Sequence, residues 1–211
     1  MTTATATVIS LELDHAGREC RNFAGPLFLQ LRRGNYDECS VLDLDGSLAD
    51  WEAEHRTARK RAWRAERLGY RFDVIERHLY ADDIYEINTS LPERQGRRMD
   101  AAYWERPSDA PDPRYPCRRH SVATYGVLEG ERLRAYSWIY RAGRLALVSS
   151  ILGHAAHLAR DVMFLLMRGV IERELPLGGF LVYNRHDSGT DGLRYFKERN
   201  GFGAREVVWA P

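Results

Sequence analysis

Almost every cation in this sequence is an arginine: Lys60 and Lys197 are the only lysines. Guanidinium groups are planar, permanently charged and bidentate, which suits them to phosphates and carboxylates. Two sets of them are spaced to act together. Arg94, Arg97 and Arg98 fall in the polar stretch 88–99, where Gly96 allows close backbone approach and Asn88, Ser90 and Gln95 add neutral hydrogen-bonding groups. This stretch reads as a clamp for a phosphate or carboxylate, against the plainer reading of a surface loop that packs Met99 and Tyr103. Arg56, Arg59, Lys60 and Arg64 recur at three- and four-residue spacing beside Trp63, a stripe that could track nucleic-acid phosphates. The plainer reading is a solvated helix face. Asp50, Glu52 and Glu54 come first and the bases follow, as the helix dipole favours.

Other residue types say what chemistry to set aside. His154 and His157, with Asp161 one turn on, could share a metal ion, but no third and fourth ligand has a motif. They read as packing or hydrogen-bonding residues, and no metal is expected. Ser149 and Ser150 lie on a strand with no local base and no nucleophile elbow, which argues against a hydrolase triad. Tyr136, Tyr140, Tyr183 and Tyr195 are core or cleft-lining candidates, one of which could carry a proton. Cys20, Cys39 and Cys117 are odd in number and widely separated, so neither a disulfide framework nor a zinc knuckle is expected. With a formal net charge of +1 over 211 residues the chain is no generic polyanion binder. No apolar run approaches the roughly 20 residues needed to span a bilayer, and the first residues do not have the form of a signal peptide. The expectation is a cytoplasmic chain without a membrane anchor.

The elements that must position these residues are legible in the pattern. Glu131–Tyr140 and Leu145–Leu152 are aromatic and β-branched runs joined by a short link containing Gly143, which predicts an antiparallel hairpin. Apolar residues at helical spacing predict one long buried helix over 154–175, stopped by Pro176 and Gly178-Gly179. Phe180–Tyr183 reads as a strand covered on both faces, Thr190 or Asp191 as the cap of a helix ending at Asn200-Gly201, and Ala204–Trp209 as a closing strand. In the first half, 8–13, 26–31, 39–44 and 70–75 read as strands. Residues 48–68 read as a single basic helix from the Ser47 cap to Gly69, and 81–88 as a short helix. Residues 106–119 read as a linker leading into a strand at 120–128.

The order strand, strand, helix, strand, helix, strand over 131–209 resembles the second half of the GNAT acyltransferase fold. The local match is Leu193-Arg194-Tyr195-Phe196-Lys197-Glu198-Arg199-Asn200-Gly201-Phe202, similar to the last helix and turn of that superfamily. It implies an α/β (α+β) protein: one GNAT-like domain over 1–211, a mixed, mostly antiparallel central sheet flanked by helices, with a divergent half at 1–119 and a core half at 120–211. Two departures bear on the donor. The phosphate loop of acyl-CoA users carries two glycine positions, whereas Ser149–His157 has only Gly153; and many acetyltransferases place a tyrosine acid where this chain has Lys197. Phe196-Lys197, with the basic stretch 55–61 ahead of Gly69-Tyr70-Arg71-Phe72, is similar instead to the Fem-type enzymes, which move an amino acid from aminoacyl-tRNA to an amine. The resemblance therefore implies an amide-forming transferase with aminoacyl-tRNA or acyl-CoA as co-substrate and no tightly bound cofactor. Lys197, Tyr195 and Tyr136 would be catalytic. Arg56, Arg59, Lys60, Arg64, Gly153 and His154 would hold the donor, with tRNA as partner. Asn88, Ser90, Arg94, Gln95 and Arg97 would hold a small-molecule or peptide amine acceptor. Lys197 is expected at the edge of the core with its ammonium turned into a cleft. An acetyl-CoA-dependent N-acetyltransferase, or a non-catalytic module binding RNA or protein, are the alternatives.

Overall fold

Ser47 opens the first helix through a reciprocal capping box: its hydroxyl accepts from the Asp50 amide, and the Asp50 carboxylate accepts from the Ser47 amide at 3.1 Å. The computed structural model describes residues 7–10, 38–112, 114–115 and 120–210. Its helices are α1 (Leu48–Glu54), α2 (Arg56–Arg67), α3 (Ala81–Thr89), α4 (Val162–Glu174) and α5 (Asp191–Arg199). The strands are β1 (Thr7–Ser10), β2 (Glu38–Asp43), β3 (Tyr70–Ile75), β4 (Glu93–Arg94), β5 (Arg97–Arg98), β6 (His120–Glu129), β7 (Arg132–Ala142), β8 (Leu145–Gly153), β9 (Phe180–Arg185) and β10 (Gly203–Ala210). No described helix is long and apolar enough to cross a membrane.

Eight strands form one sheet in the order β1-β10-β2-β9-β8-β7-β6-β3, and β4 with β5 forms a separate hairpin. Among the described strands only the pairs β1/β10 and β8/β9 are parallel. The expected mixed, mostly antiparallel sheet flanked by helices is what is found. β2, from the first half of the chain, lies between β9 and β10. Of the first-half strands, the one expected at 26–31 and residues 11–13 lie outside the described residues.

One face of the sheet carries α1, α2, α4 and α5, whose core joins Ala58, Ala62 and Ala65 of α2 to Leu165, Leu166 and Val170 of α4, all fully buried. Each of the larger aliphatic chains contributes about 1.5–3 kcal/mol by leaving water. Alanines at i, i+4 and i+7 leave α2 with an apolar stripe only one methyl deep, so its backbone packs close to α4. The approach of α4 to β3 is closer still: a Cβ on Gly169 would lie 2.2 Å from the Phe72 ring. The other face is covered by α3, where Ile84 and Ile87 pack on Leu128, Leu133 and Leu152.

The C-terminal end of α4 is pinned to the sheet by charge. Glu174 accepts two bonds from Arg141, at 3.0 and 2.7 Å, and one from the Tyr125 hydroxyl at 2.7 Å, and both ionic partners are buried. The third guanidinium nitrogen of Arg141 donates to the Gly143 and Gly178 carbonyls, each at 3.2 Å, so the buried ion pair is satisfied on every side.

Two expected helices are corrected. The single helix 48–68 is two, bent at His55 (φ −101, ψ 53), where the His55 ring packs on Trp51 while the Trp51 indole donates to the Asn200 carbonyl at 3.1 Å. The helix expected over 154–175 is instead a 3-10 turn, Ala155–Arg160, followed by a left-handed Asp161 (φ 63) and then α4. Apolar spacing runs through both segments, so the periodicity could not register the break. The stretch 88–99 also has structure: β4 and β5 pair around Gln95-Gly96, both at positive φ.

Candidate active site

β8 and β9 pair at Leu145↔Phe180, Ala146↔Leu181 and Leu147↔Val182, and then part, although β8 runs on to Gly153 and β9 to Arg185. A bulge widens this fork. Trp138 faces Ser150 and Ile139 faces Val148, leaving Ser149 as the extra residue. The extra residue changes the phase of β8: Ala146 and Val148 face the α4 side, and beyond the bulge it is Ile151 that does so. Past Leu147 the β8 edge facing β9 has no strand partner among the described residues, which leaves its amides available to a ligand entering the fork.

Two cavities meet there. One, about 430 Å³, lies on the α4/α5 side and is lined by Phe164, Leu193 and Phe196, with Arg61 and Asp161 at its rim. The other, about 400 Å³, lies under the hairpin and is lined by Arg97, Arg98, Tyr103, Ser149 and Ser150. Arg94, Gln95, Ile151, Leu152 and Tyr183 line both. A third hollow of about 560 Å³ shares Asp100, Tyr103 and Ser150 with the second and ends at Asn88, Tyr136 and Trp138. A fork open on both sides of a sheet can bring two substrates together end to end.

The hairpin is fastened over the fork by Arg94. Its guanidinium donates to the Gly153 carbonyl (2.9 Å), the Ile87 carbonyl (2.7 Å) and the Ser90 hydroxyl (2.9 Å), while Ser90 also accepts from the Ala155 amide (3.1 Å). Burial holds the Arg94 pKa below the ordinary arginine value. Of the acceptor residues expected from the sequence, Arg94 and Ser90 are thus committed to joining the hairpin, α3 and the end of β8. Gln95 and Arg97 line the cavities, and Asn88 accepts from the buried Tyr136 hydroxyl at 2.8 Å. Arg94→Lys cannot reproduce this fork. It should cost about 1–3 kcal/mol of stability and raise hydrogen exchange in 88–99, measured by denaturant melts and mass spectrometry; an unchanged melt would return the loop to a role in binding alone.

The connection from β8 to α4 ends in a second charged cluster. Asp161, nearly fully buried, takes Arg61 Nε on one oxygen (3.0 Å) and Arg64 Nη1 on the other (2.8 Å), and Arg64 also donates to the Ala159 carbonyl (3.3 Å). Arg61 in turn lies over the Phe164 ring at 4.5 Å. The positive end of α4 therefore already holds a carboxylate. Gly153 is packed so closely that a Cβ would meet Met163 Sδ at 2.6 Å. Nδ1 of His154 caps the 3-10 turn through the Ala156 amide, and His157 Nδ1 hydrogen-bonds the Tyr70 hydroxyl at 2.6 Å. Burial lowers both histidine pKa values, with Arg134 adding to the effect. No metal-ready cluster of His, Cys, Asp and Glu occurs among the described residues.

The remaining predicted residues are scattered. On α2, Arg64 is held by Asp161, Arg59 lies over Trp63 at 4.9 Å, Arg56 turns back to the Ala53 carbonyl at 3.3 Å, and Lys60 is exposed. Tyr195 lines the first cavity, half exposed beneath Arg199. Lys197 corrects the expectation of an ammonium turned into the cleft. It is fully buried, and its Nζ donates to the Arg185 carbonyl at 2.6 Å and the Ser188 hydroxyl at 3.4 Å. The reason is that α5 turns this position toward the end of β9, behind Tyr183, where the Arg185 carbonyl needs a donor. Arg61 emerges at the site without any sequence expectation of a role there, Asp161 pairs with arginines rather than with the histidines it was weighed with, and Tyr183, one of four candidate proton carriers, is the tyrosine that lines both cavities at the fork. Tyr183 had a sequence signal as the last residue of an apolar strand before a polar turn; the pairing of Asp161 with two arginines a hundred positions away had none.

The sequence matches no protein-family model and no curated protein. Among solved structures, the C-terminal domain of a candidate lysylphosphatidylglycerol synthetase from Agrobacterium fabrum superposes with a TM-score of 0.53 at 14% identity, over 81% of this chain and 58% of that one. This chain thus spans less than two thirds of that structure. A GCN5-related N-acetyltransferase from Kribbella flavida aligns at a TM-score of 0.42 and 14% identity, over 65% and 47%, a likeness too slight to carry weight. At such identities only the fold is shared. That fold is a mostly antiparallel sheet opened between two parallel strands and flanked by helices.

Proposed function

We propose that this chain transfers an aminoacyl group from an ester, carried by tRNA, to an amine acceptor in the fork between β8 and β9. The amine nitrogen attacks the ester carbonyl, and the unpaired amides of the β8 edge receive the developing oxyanion. The donor lies on the α4/α5 side and the acceptor comes from under the hairpin. The observation that carries the choice of donor is Asp161. A coenzyme A diphosphate would be received at the start of α4, and there a buried carboxylate already holds Arg61 and Arg64. An aminoacyl ester needs no diphosphate at that point. The exposed cations Arg56 and Lys60 with Arg59 on Trp63 offer a surface for tRNA phosphates. The name of the Agrobacterium protein couples a lysyl group to phosphatidylglycerol, and this likeness too favours an aminoacyl group as the one moved.

The test is a transfer assay with radiolabelled acetyl-CoA and with charged tRNA over a panel of amines. Transfer from charged tRNA alone is expected; transfer from acetyl-CoA alone would make the chain an N-acetyltransferase, and none from either would leave a binding module. Asp161→Asn removes the competing charge, so affinity for acetyl-CoA should tighten at least about tenfold by calorimetry, the effect of one charge some 5 Å from a phosphate in a partly screened site. If wild type and variant bind it alike, Asp161 does not exclude that donor.

A further inference from the structure

We propose that Tyr183 carries the proton of the transfer step and that Lys197 is the residue that positions it. This rests on the transferase reading above. Tyr183 follows Val182, the last residue of β9 paired with β8, so it stands where the fork opens, and it lines the cavities on both sides. Its ring is held from three directions: edge to Phe196 at 6.4 Å, edge to Phe202 at 5.8 Å, and face to the Lys197 ammonium at 5.2 Å. Its hydroxyl has no hydrogen-bond partner among the described residues and keeps accessible surface at the cavities. A rigidly held phenol with a free hydroxyl on a cleft is uncommon, since buried tyrosines ordinarily bond. The others here do: Tyr70 to His157, Tyr125 to Glu174, Tyr136 to Asn88. Tyr195 lies half exposed under Arg199.

The step balances on this one group. The amine nitrogen bonds to the ester carbonyl carbon, and the bond from that carbon to the ribose oxygen breaks. The phenolic proton passes to the leaving ribose oxygen, and the phenol oxygen takes the proton shed by the amine, so Tyr183 ends as it began and nothing is oxidised or reduced. Burial raises the pKa of this phenol, which keeps it protonated and able to donate. Lys197 touches neither substrate. It ties the Arg185 carbonyl to α5 and fixes the plane of the ring.

The experiment is steady-state transfer from charged tRNA by the full chain. Tyr183→Phe keeps the packing and should lower kcat by about 100-fold or more, as loss of a general acid–base group does, with KM for charged tRNA within about twofold and an unchanged melt. Lys197→Met should lower kcat by about tenfold, and Lys197→Arg should recover part of it. Difluorotyrosine at position 183, which makes the phenol more acidic, should move the basic limb of the kcat–pH profile to lower pH. Wild-type kcat in Tyr183→Phe, or a limb that does not move, overturns the role of Tyr183 while leaving the transferase reading intact. Wild-type protein that transfers from neither donor overturns both.

Discussion

Glu174→Ala should destabilise the fold by about 3–5 kcal/mol, the usual cost of stranding a buried ionic partner, and lower the melting temperature by about 6–20 °C for a domain of this size. The alanine leaves Arg141 charged and buried, with two of its nitrogens and the Tyr125 hydroxyl deprived of their acceptor. It also frees the end of α4 from the sheet, and α4 carries the fully buried residues Leu165, Leu166 and Val170 of the main core. The double variant Arg141→Met, Glu174→Leu should regain most of the loss, because an apolar pair of similar volume has no charge to strand. Urea melts of both variants decide the matter. A single variant less than about 1 kcal/mol below wild type would mean that water reaches the Arg141 guanidinium.

The second large effect is a rise of stability with pH on the alkaline side. Burial pushes the Lys197 pKa down to about 8, against the smaller opposing pull of Asp187 and Cys39, whereas in the unfolded chain it returns to about 10.4. Between these values the unfolded state binds the extra proton, so stability climbs as pH rises through 8 and should gain about 2 kcal/mol by pH 10. Burial raises the phenols of Tyr125, Tyr136 and Tyr183. Those groups act with the opposite sign, since above about pH 10 the unfolded chain loses their protons first. Stability should therefore peak near pH 10. Lys197→Met should be flat from pH 8 to 9.5, and a wild-type curve that is flat over the same range would show that the ammonium is solvated.

Where the sequence and the structure agree, one periodicity or one local cap decides. The β7–β8 hairpin, the buried β9, the Ser47 capping box and the Gly69 stop at φ 90 each depend on residues within a few positions of one another. Where they disagree, distant partners decide. The break before α4 follows Asp161, which is held by arginines on α2. The polar stretch 88–99 becomes a fastened hairpin because Arg94 finds carbonyls on α3 and at the end of β8.

The sequence by itself determined the alternation of strand and helix from 120 to 210, because hydrophobic period and turn chemistry are local properties of the chain. It also determined which side chains were available: arginines in quantity and several tyrosines. Only the tertiary structure decided which of these meet. Lys197 and Tyr183 are 14 positions apart in the chain and on different elements, and nothing in either segment sets the ammonium over the ring at 5.2 Å. Arg61, Arg64 and Asp161 are set together by the packing of α2 on α4, through three alanines small enough to let the two helices close. The fork itself arises because β9 ends its pairing with β8 after three residues and a bulge at Ser149 turns β8 away. Strand register is settled by both partners at once, and one strand's own sequence cannot specify where its neighbour leaves it.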